Sequence, residues 1–308
     1  MNDTSMDHNF TQFLLKDRKS DRRWRNVRFF GWMIILLLYA FLIFGPSGDN
    51  KVIKKPYVSL VRLTGIIMPG TGFSAQNVIP ELQEAFSDHN AKGVVLLINS
   101  PGGSPVQASI IHDKIIELKK EFHKKVIVVG EDAIASGGYL VATAGDKIYV
   151  SPDSLTGSIG VVMSGFGFTD AIKKLGITRR LFTAGDHKDR LDPFEPLNEQ
   201  DVFKVKHVLN QVHQNFINDV LQGRGDRLRG NKAELFSGDF WTGEEAVQLG
   251  IADGTADLWV VLKEEFGVAH FKDYTPRPSF IKSLFREAKT FLDLHLMDNT
   301  SPLREQAY

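Results

Sequence analysis

Hydrophobic and polar positions divide this 308-residue chain into a polar start, one long apolar run and a long mixed region. Residues 1–28 are polar and rich in lysine and arginine, and residues 29–45 form a run of 17 residues without a charge. Beyond residue 56, short apolar runs alternate with amphipathic stretches and glycine turns. This alternation predicts an α/β domain with parallel strands.

The apolar run at 29–45 predicts a helix of about 25 Å, which is near the lower limit for crossing a bilayer. Basic residues cluster before it, whereas small and polar residues follow it. The asymmetry predicts a single transmembrane anchor, with residues 1–28 as a basic cytoplasmic tail and the rest of the chain outside. Gly45 and Ser47 leave a cleaved signal peptide as an alternative interpretation. A buried core helix would need an amphipathic period, which this run lacks.

Residues 46–56 have the composition of a linker. The mixed region predicts strands at 57–68, 94–98, 126–129, 147–150 and 178–182, and helices at 77–87, 106–122, 139–144, 169–175, 198–222, 242–249 and 258–266. Because strand, glycine turn and helix recur, we expect a site beyond the carboxyl ends of the strands. A basic amphipathic stretch at 280–296 predicts a C-terminal helix that packs on its own domain, on a neighbour or on the membrane.

Composition limits the chemistry that this chain can perform. There is no cysteine, which excludes thiolate catalysis and cysteine-ligated metals, and we expect neither a metal nor another cofactor. The 37 basic residues balance 37 acidic ones, so the net charge gives no indication of a nucleic-acid partner. Gly70 and Gly72 invite a dinucleotide-binding interpretation. The next strand, however, ends at Asn99, where an acidic residue would hold the ribose.

Ser136 follows the predicted strand at 126–129 and precedes a predicted helix, a favourable place for a nucleophile. Its small neighbours let a substrate backbone approach, and the amide of Gly137 at the helix start could face an oxyanion. A second glycine turn, Gly102–Gly103, is expected at the same edge of the sheet, where its amides could also face the oxyanion. The alternatives are an N-cap role for Ser136 and a plain tight turn at Gly102–Gly103.

Two choices stay open at this point. Ser158 is a rival nucleophile, and neither serine lies in a G-x-S-x-G elbow, which excludes an α/β-hydrolase. A serine nucleophile needs a base, and the loop at 183–190 offers His187 and Lys188. An exposed ammonium group is protonated near neutral pH, so a lysine base must be buried in the active enzyme. A solvated charged loop is the alternative interpretation.

Five ordered motifs resemble the signal peptide peptidase A (SppA-type) serine proteases of peptidase family S49. They are NSPGG at 99–103, ASGGY at 135–139, TGSIGV at 156–161, GDHKD at 185–189 and WTGEEAVQLGIADG at 241–254. The resemblance implies a ClpP/crotonase-like α/β fold of repeated β-β-α units, preceded by one N-terminal transmembrane helix. It places the catalytic domain at 57–270 and leaves 271–308 as a C-terminal helical extension.

The same resemblance implies a Ser-Lys dyad, with Ser136 as nucleophile and Lys188 as general base and acid. The backbone N–H groups of Gly103 and Gly137 would form the oxyanion hole. The family implies a homo-oligomer in which one subunit helps to complete its neighbour's site, and substrates that are extended apolar peptides such as released signal peptides. The anchor would hold the enzyme in the inner (plasma) membrane with the catalytic domain on the extracytoplasmic side. Leu140 departs from the family, since many relatives have a second aromatic residue there.

Two other classes of function are alternatives. A crotonase-type acyl-CoA enzyme shares oxyanion holes made from glycine turns, but the predicted anchor and the Ser-Lys pair argue against it. A catalytically inactive homologue that acts as a membrane scaffold would keep the fold and lose the chemistry. Reaction with a serine-directed fluorophosphonate probe distinguishes such a scaffold from a peptidase.

Overall fold

The computed structural model describes residues 24–41 and 55–275. The chain divides into two units, Met1–Val52 and Ile53–Tyr308. The described part of the first unit is one helix, α1 (24–41), with mostly exposed side chains. Within the described ranges, no helix combines the length and the apolar character that a bilayer crossing needs. The predicted anchor extends to residues 42–45, which lie outside those ranges, and it stays a prediction.

The second unit is built on an eight-stranded sheet with the order β6-β5-β3-β2-β1-β8, while β4 pairs with β3 and β7. The strands are β1 Tyr57–Thr64, β2 Ala91–Ser100, β3 Val126–Ala135, β4 Lys147–Val150, β5 Leu155–Gly157, β6 Phe240–Trp241, β7 Gly254–Thr255 and β8 His270–Asp273. All pairs are parallel except β5 with β6. The predicted α/β class with a mainly parallel sheet is confirmed.

Helices connect the strands and cover the sheet. They are α2 Ala75–Ser87, α3 Pro105–Phe122, α4 Gly137–Ala142, α5 Thr169–Lys174, α6 Glu199–Arg224, α7 Lys232–Leu235, α8 Gly243–Gln248 and α9 Leu258–Phe266. The prediction of a strand at 178–182 is wrong, because this segment is irregular and Phe182 is 91% exposed. Only Leu181 and Phe182 of this segment are apolar, and no strand among the described residues pairs with its backbone.

The central strands are apolar throughout because both faces of the sheet are covered. In β1, Val61 and Leu63 join the core cluster formed with α2, α3 and α4. Val58 and Leu60, on the opposite face, pack in the cluster formed with α9. This alternation follows from the two-residue period of a strand. Each fully buried side chain of this size contributes about 1.5–3 kcal/mol to folding.

The C-terminal boundary predicted at residue 270 needs correction, because it falls inside β8. Residues 271–273 belong to the sheet, since β8 pairs in parallel with β1. The amide of Tyr274 then donates to the carbonyl of Leu60 over 2.8 Å. The β-pairing with β1 is a long-range contact that local sequence patterns do not specify. The helix predicted at 280–296 lies outside the described residues.

Glu81 is a buried carboxyl group on α2, with 8% of its surface exposed. Burial raises the pKa of Glu81 from 4.5 to about 7, and the negative charges of Asp273 and Glu84 add to the rise. The folded chain therefore holds a proton that the unfolded chain releases at lower pH. In consequence, the free energy of unfolding falls as the pH rises from 4.5 to about 7.

We expect Glu81→Gln to remove this loss of stability. At pH 8 the variant should have a free energy of unfolding roughly 3 kcal/mol above that of the unmodified chain, and at pH 4 the two should agree. Urea unfolding at both pH values measures the difference. Glu121→Gln, at an exposed position on α3, is the matched control and should change stability little at either pH. Equal shifts for the two variants would contradict the prediction.

Candidate active site

Ser136 lies where β3 ends and α4 begins. Its backbone has φ 52° and ψ −125°, a conformation that residues other than glycine rarely adopt. The amide of Ser136 donates to the carbonyl of Gly157 over 2.8 Å, and its carbonyl accepts from the amide of Leu140 over 3.0 Å. The side chain makes no capping hydrogen bond, so an N-cap role does not explain this serine. Such strain persists where the surroundings enforce it, and it is concentrated at functional sites.

The glycine turn after β2 packs directly against Ser136. A Cβ atom built on Gly102 would lie 2.7 Å from the Cβ of Ser136 and 2.8 Å from the amide nitrogen of Gly137. One built on Gly103 would overlap the carbonyl oxygen of Ile67. The two glycines also have φ of 99° and 147°, in the region that favours glycine. No side chain fits at either position, so the turn is more than a flexible connection.

The backbone amides of Gly103 and Gly137 are close neighbours. A Cβ atom built on Gly137 would lie 3.5 Å from the amide nitrogen of Gly103. Gly137 is the first residue of α4, where an amide has no acceptor within the helix. The bridge between Ile67 and Gly103 uses the carbonyl of Gly102 and the amide of Ser104. Among the hydrogen bonds of the described residues, none starts from either amide, so both are free to bind a ligand.

Ser136 lines a cleft of about 630 Å³. Helices α3 and α6 contribute most of its side chains, and Gly103 and Gly137 of the two glycine turns also line it. The lining residues are Gly103, Pro105, Val106, Ser109, Ile110, Asp113, Ser136, Gly137, Leu140, Ser158, Gly160, Val161, Val162, Val212, Asn215, Phe216, Asp219, Ser237 and Gly238. A mainly apolar cleft with a few convergent polar groups is typical of a ligand site.

Ser158, the rival nucleophile, lines the same cleft and also has a positive φ, of 50°. Its hydroxyl group donates to the carbonyl of Gly238 over 3.4 Å, and its amide donates to the carbonyl of Asp239 over 2.8 Å. The hydroxyl group of Ser136 makes no hydrogen bond within the described part of the chain. The structure thus brings both serines to one cleft, and it leaves the hydroxyl of Ser136 unengaged.

The loop that carries the two predicted bases contributes no residue to this cleft. Lys188 and His187 are exposed between α5 and α6, and the amide of Lys188 donates to the carbonyl of Gly185 over 3.3 Å. His187 lines a second cavity of about 730 Å³, which residues 179–201 form. Within the described residues of one chain, Lys188 is not brought to Ser136. Their pairing in a dyad stays a prediction.

Two protein-family models match this chain. The model of Clp protease matches residues 52–156, and the model of Peptidase family S49 matches residues 118–265. The chain belongs to peptidase family S49. Its sheet of mainly parallel strands, covered by helices, fits the ClpP-like fold that the motifs predicted.

Relatives of this S49 chain have several names. A Brucella melitensis protein named Na(+)/H(+) antiporter NhaA is 43% identical over 215 residues, which are 68% of this chain and 29% of that protein. An Enterococcus faecium protein named after signal peptide peptidase SppA is 28% identical, over 67% of this chain and 60% of its own length. Protease 4 of Haemophilus influenzae is 29% identical, over 64% of this chain and 32% of its own length. The chain therefore spans less than two thirds of each of these relatives.

Three of the S49 motifs supply residues of the cleft, namely those at 99–103, 135–139 and 156–161. The motif at 241–254 has a structural role instead. Its Thr242 and Glu245 form a capping box that begins α8, which satisfies amides at the helix start. The motif at 185–189 lies in the exposed loop.

Tyr139 is the last residue of the S49 motif around Ser136, and its side chain anchors α4 to the rest of the domain. The side chain is fully buried, and its hydroxyl group donates to the carbonyl of Ile251 over 2.9 Å. Burial raises the pKa of Tyr139, so the hydroxyl group keeps its proton and remains a donor. Next to it, a Cβ atom on Gly138 would lie 2.9 Å from the carbonyl oxygen of Ser100. The second glycine of the pair is therefore required for packing α4 against β2.

Asp113 and Asp219 are cleft residues that the sequence motifs do not identify. Burial raises the pKa of Asp219 above its ordinary value, and the charge of Asp113 adds to the rise while that of His112 opposes it. A sequence signal does exist, because Asp219 follows Phe216 by three residues and so lies on the apolar stripe of α6. The stripe alone does not reveal that this face lines a cleft.

We expect Gly102→Ala to cost more stability than Gly65→Ala. Both glycines have nearly the same φ, 99° and 97°, so both variants lose about 1–2 kcal/mol to the left-handed backbone. A Cβ atom at Gly65 has nothing within 4 Å, whereas one at Gly102 meets Ser136. That overlap should lower the free energy of unfolding by about 1–3 kcal/mol more. Urea unfolding measures both losses, and equal values would contradict the close packing of the turn on Ser136.

Proposed function

We propose that this S49 chain is a membrane-anchored serine endopeptidase with Ser136 as its nucleophile. The observation that carries the proposal is the unengaged hydroxyl of Ser136, held at a strained junction between two free backbone amides and an open cleft. Strain of this kind presents a nucleophile to a bound substrate, and the neighbouring amides suit a developing negative charge. Its relatives include proteins named as proteases.

In the proposed reaction, the Oγ atom of Ser136 attacks a peptide carbonyl carbon and a tetrahedral intermediate forms. The amides of Gly103 and Gly137 donate to its oxyanion, and each such donor is worth on the order of 3 kcal/mol of transition-state stabilisation. Lys188, in its neutral form, accepts the proton of the Ser136 hydroxyl and passes it to the leaving amine. Water activated by the same lysine then hydrolyses the acyl-enzyme.

Lys188 reaches the nucleophile of a neighbouring subunit in this proposal. Residues 162–198, which include Lys188, are mostly exposed in the single chain and display large apolar side chains, among them Val162, Phe166 and Phe182. Exposed apolar surface of this kind is typical of protein–protein contacts. In a ring of identical subunits, a head-to-tail contact places the same residues at every interface. Burial in the contact would also keep the lysine neutral.

The proposed substrates are extended apolar peptides, including released signal peptides. Aliphatic and aromatic side chains of α3 and α6 dominate the cleft, among them Val106, Ile110 and Phe216. The uncharged run at 29–45 and the basic residues before it support a single-pass anchor in the plasma membrane. The catalytic domain would then lie on the extracytoplasmic side, where signal peptides leave the membrane.

We expect a fluorophosphonate probe to label the full-length protein at Ser136. Ser136→Ala should abolish labelling, because the probe reacts only with an activated serine. Ser158→Ala is the matched control, since Ser158 lines the same cleft with the same sign of φ, and this variant should keep labelling. Intact-mass measurement quantifies the adduct. If labelling persists in Ser136→Ala and disappears in Ser158→Ala, the assignment of the nucleophile is wrong. If the probe labels neither the unmodified chain nor the two variants, the result favours a scaffold.

We expect two inactive variants to restore activity when they are assembled together. Ser136→Ala lacks the nucleophile and Lys188→Met lacks the base, so neither should cleave a fluorogenic apolar peptide alone. In an equimolar mixed ring, about a quarter of the sites would pair an intact serine with an intact lysine from the next subunit. Peptide hydrolysis after joint refolding should therefore approach that fraction of normal activity. No recovery, with the unmodified chain active, would show that the base is not supplied by a neighbour.

A further inference from the structure

Two carboxylates line the cleft beside Ser136. They belong to Asp113 and Asp219, and among the described residues that line the cleft none is lysine, arginine or histidine. Nδ1 of the buried His112 lies 3.0 Å from the carboxylate of Asp113, which is 77% exposed. The carboxylate of Asp219 has neither a hydrogen bond nor an ion pair within the described part of the chain. Asp219 is therefore a half-buried carboxylate without a direct partner, and His112, the cationic group that acts on it from a distance, contacts Asp113 instead.

The two carboxylates belong to different helices that line the cleft. Asp113 lies on α3 and Asp219 on α6. They are close enough to influence each other, since the charge of Asp113 adds to the effect of burial in raising the pKa of Asp219. A ligand cation near both carboxylates would offset both effects, because an opposite charge favours the ionised carboxylate.

The walls beside these carboxylates are apolar. On α3, Val106, Ile110 and Asp113 are spaced four and three residues apart, so they share one face of the helix. Asp113 lies about 12 Å along α3 from Pro105, which lines the cleft at the start of the helix. An extended peptide advances about 3.3 Å per residue, so this distance corresponds to roughly three or four peptide residues. Asp113 is thus within reach of an extended peptide that lies along α3 from Pro105.

We propose that Asp219, with Asp113 beside it, makes this cleft selective for a lysine or arginine side chain of the bound peptide. The inference rests on the proposed function, because it assigns the substrate preference of the same site. The aliphatic part of the basic side chain packs on Val212 and Phe216, and its charged head pairs with Asp219. An acidic side chain at the same position is rejected, since it would bring a third negative charge into the cleft.

The test measures binding, so that it does not depend on turnover. Full-length protein with Ser136→Ala is titrated into fluorescein-labelled apolar peptides that differ at one position, where they carry lysine, norleucine or glutamate. The position is moved along the peptide, and fluorescence anisotropy gives each Kd. At one position we expect the lysine peptide to bind about tenfold more tightly than the norleucine peptide, as a charge-assisted hydrogen bond allows. The glutamate peptide should bind more weakly than both.

Adding Asp219→Asn should reduce the preference for lysine to about twofold or less, with the larger change in the Kd of the lysine peptide. Asp153→Asn removes an equal charge from an exposed turn outside the cleft and should keep the full preference. If Asp219→Asn does not fold, the norleucine peptide loses binding as well. Asp113→Asn, which changes an exposed carboxylate, is then the deciding variant. A reduced preference for the lysine peptide supports the proposal, and an unchanged preference contradicts it.

The two proposals fail in different ways. Equal affinities for the three peptides at every position would overturn the selectivity of Asp219, even if the unmodified chain hydrolyses peptides. A lysine preference that depends on Asp219, without hydrolysis by the unmodified chain, would overturn the peptidase and keep the inference. If none of the peptides binds, the cleft is not a peptide site and both proposals are wrong.

Discussion

At the carboxyl edge of the sheet, the turn after β2 and the junction of β3 with α4 pack backbone against backbone. A Cβ atom on Gly102 would lie within 3 Å of both Ser136 and the amide of Gly137, so no side chain fits between the two segments. This close approach places the amides of Gly103 and Gly137 side by side. It also enforces the strained backbone of Ser136, which the hydrogen bond to Gly157 holds from the other side.

A buried ion pair between Arg224 and Asp253 supports the elements around that junction. Arg224, at the end of α6, is 2% exposed and donates to Asp253 over 2.6 Å and to the carbonyl of Gly250 over 3.0 and 2.8 Å. Burial alone would raise the pKa of Asp253, but the hydrogen bonds and the charge of Arg224 outweigh it and hold the pKa below its ordinary value. In the same turn, between Gly250 and Asp253, the carbonyl of Ile251 accepts a hydrogen bond from the hydroxyl group of Tyr139. One network therefore positions α6 and α4, which both line the cleft, and loss of one ionic partner would cost about 3–5 kcal/mol.

The two halves of the proposed dyad differ in how they are held. Ser136 is fixed by strands, glycine contacts and a buried network, whereas Lys188 lies in an exposed segment between α5 and α6. In the first part of α6, Phe203 and Val208 are exposed, although Phe216 further along the same helix is buried. An apolar stripe that continues beyond the domain's own core is available for a neighbouring subunit. A peptidase built in this way would be active only when assembled, which protects other proteins from the isolated chain.

The sequence by itself determined the parts that depend on local pattern. Continuous apolar runs predicted β1, β2 and β3, and the glycine motifs at 99–103 and 135–139 indicated the junction at Ser136, because glycine is favoured in tight turns and at close backbone approaches. Tertiary structure decided which segments pair and which side chains meet. Residues 178–182 have apolar residues but no partner strand, β8 belongs to the sheet through its pairing with β1, and Asp219 lines the cleft only because of how α6 docks. These outcomes depend on contacts between residues far apart in the chain, and a local period carries no information about them.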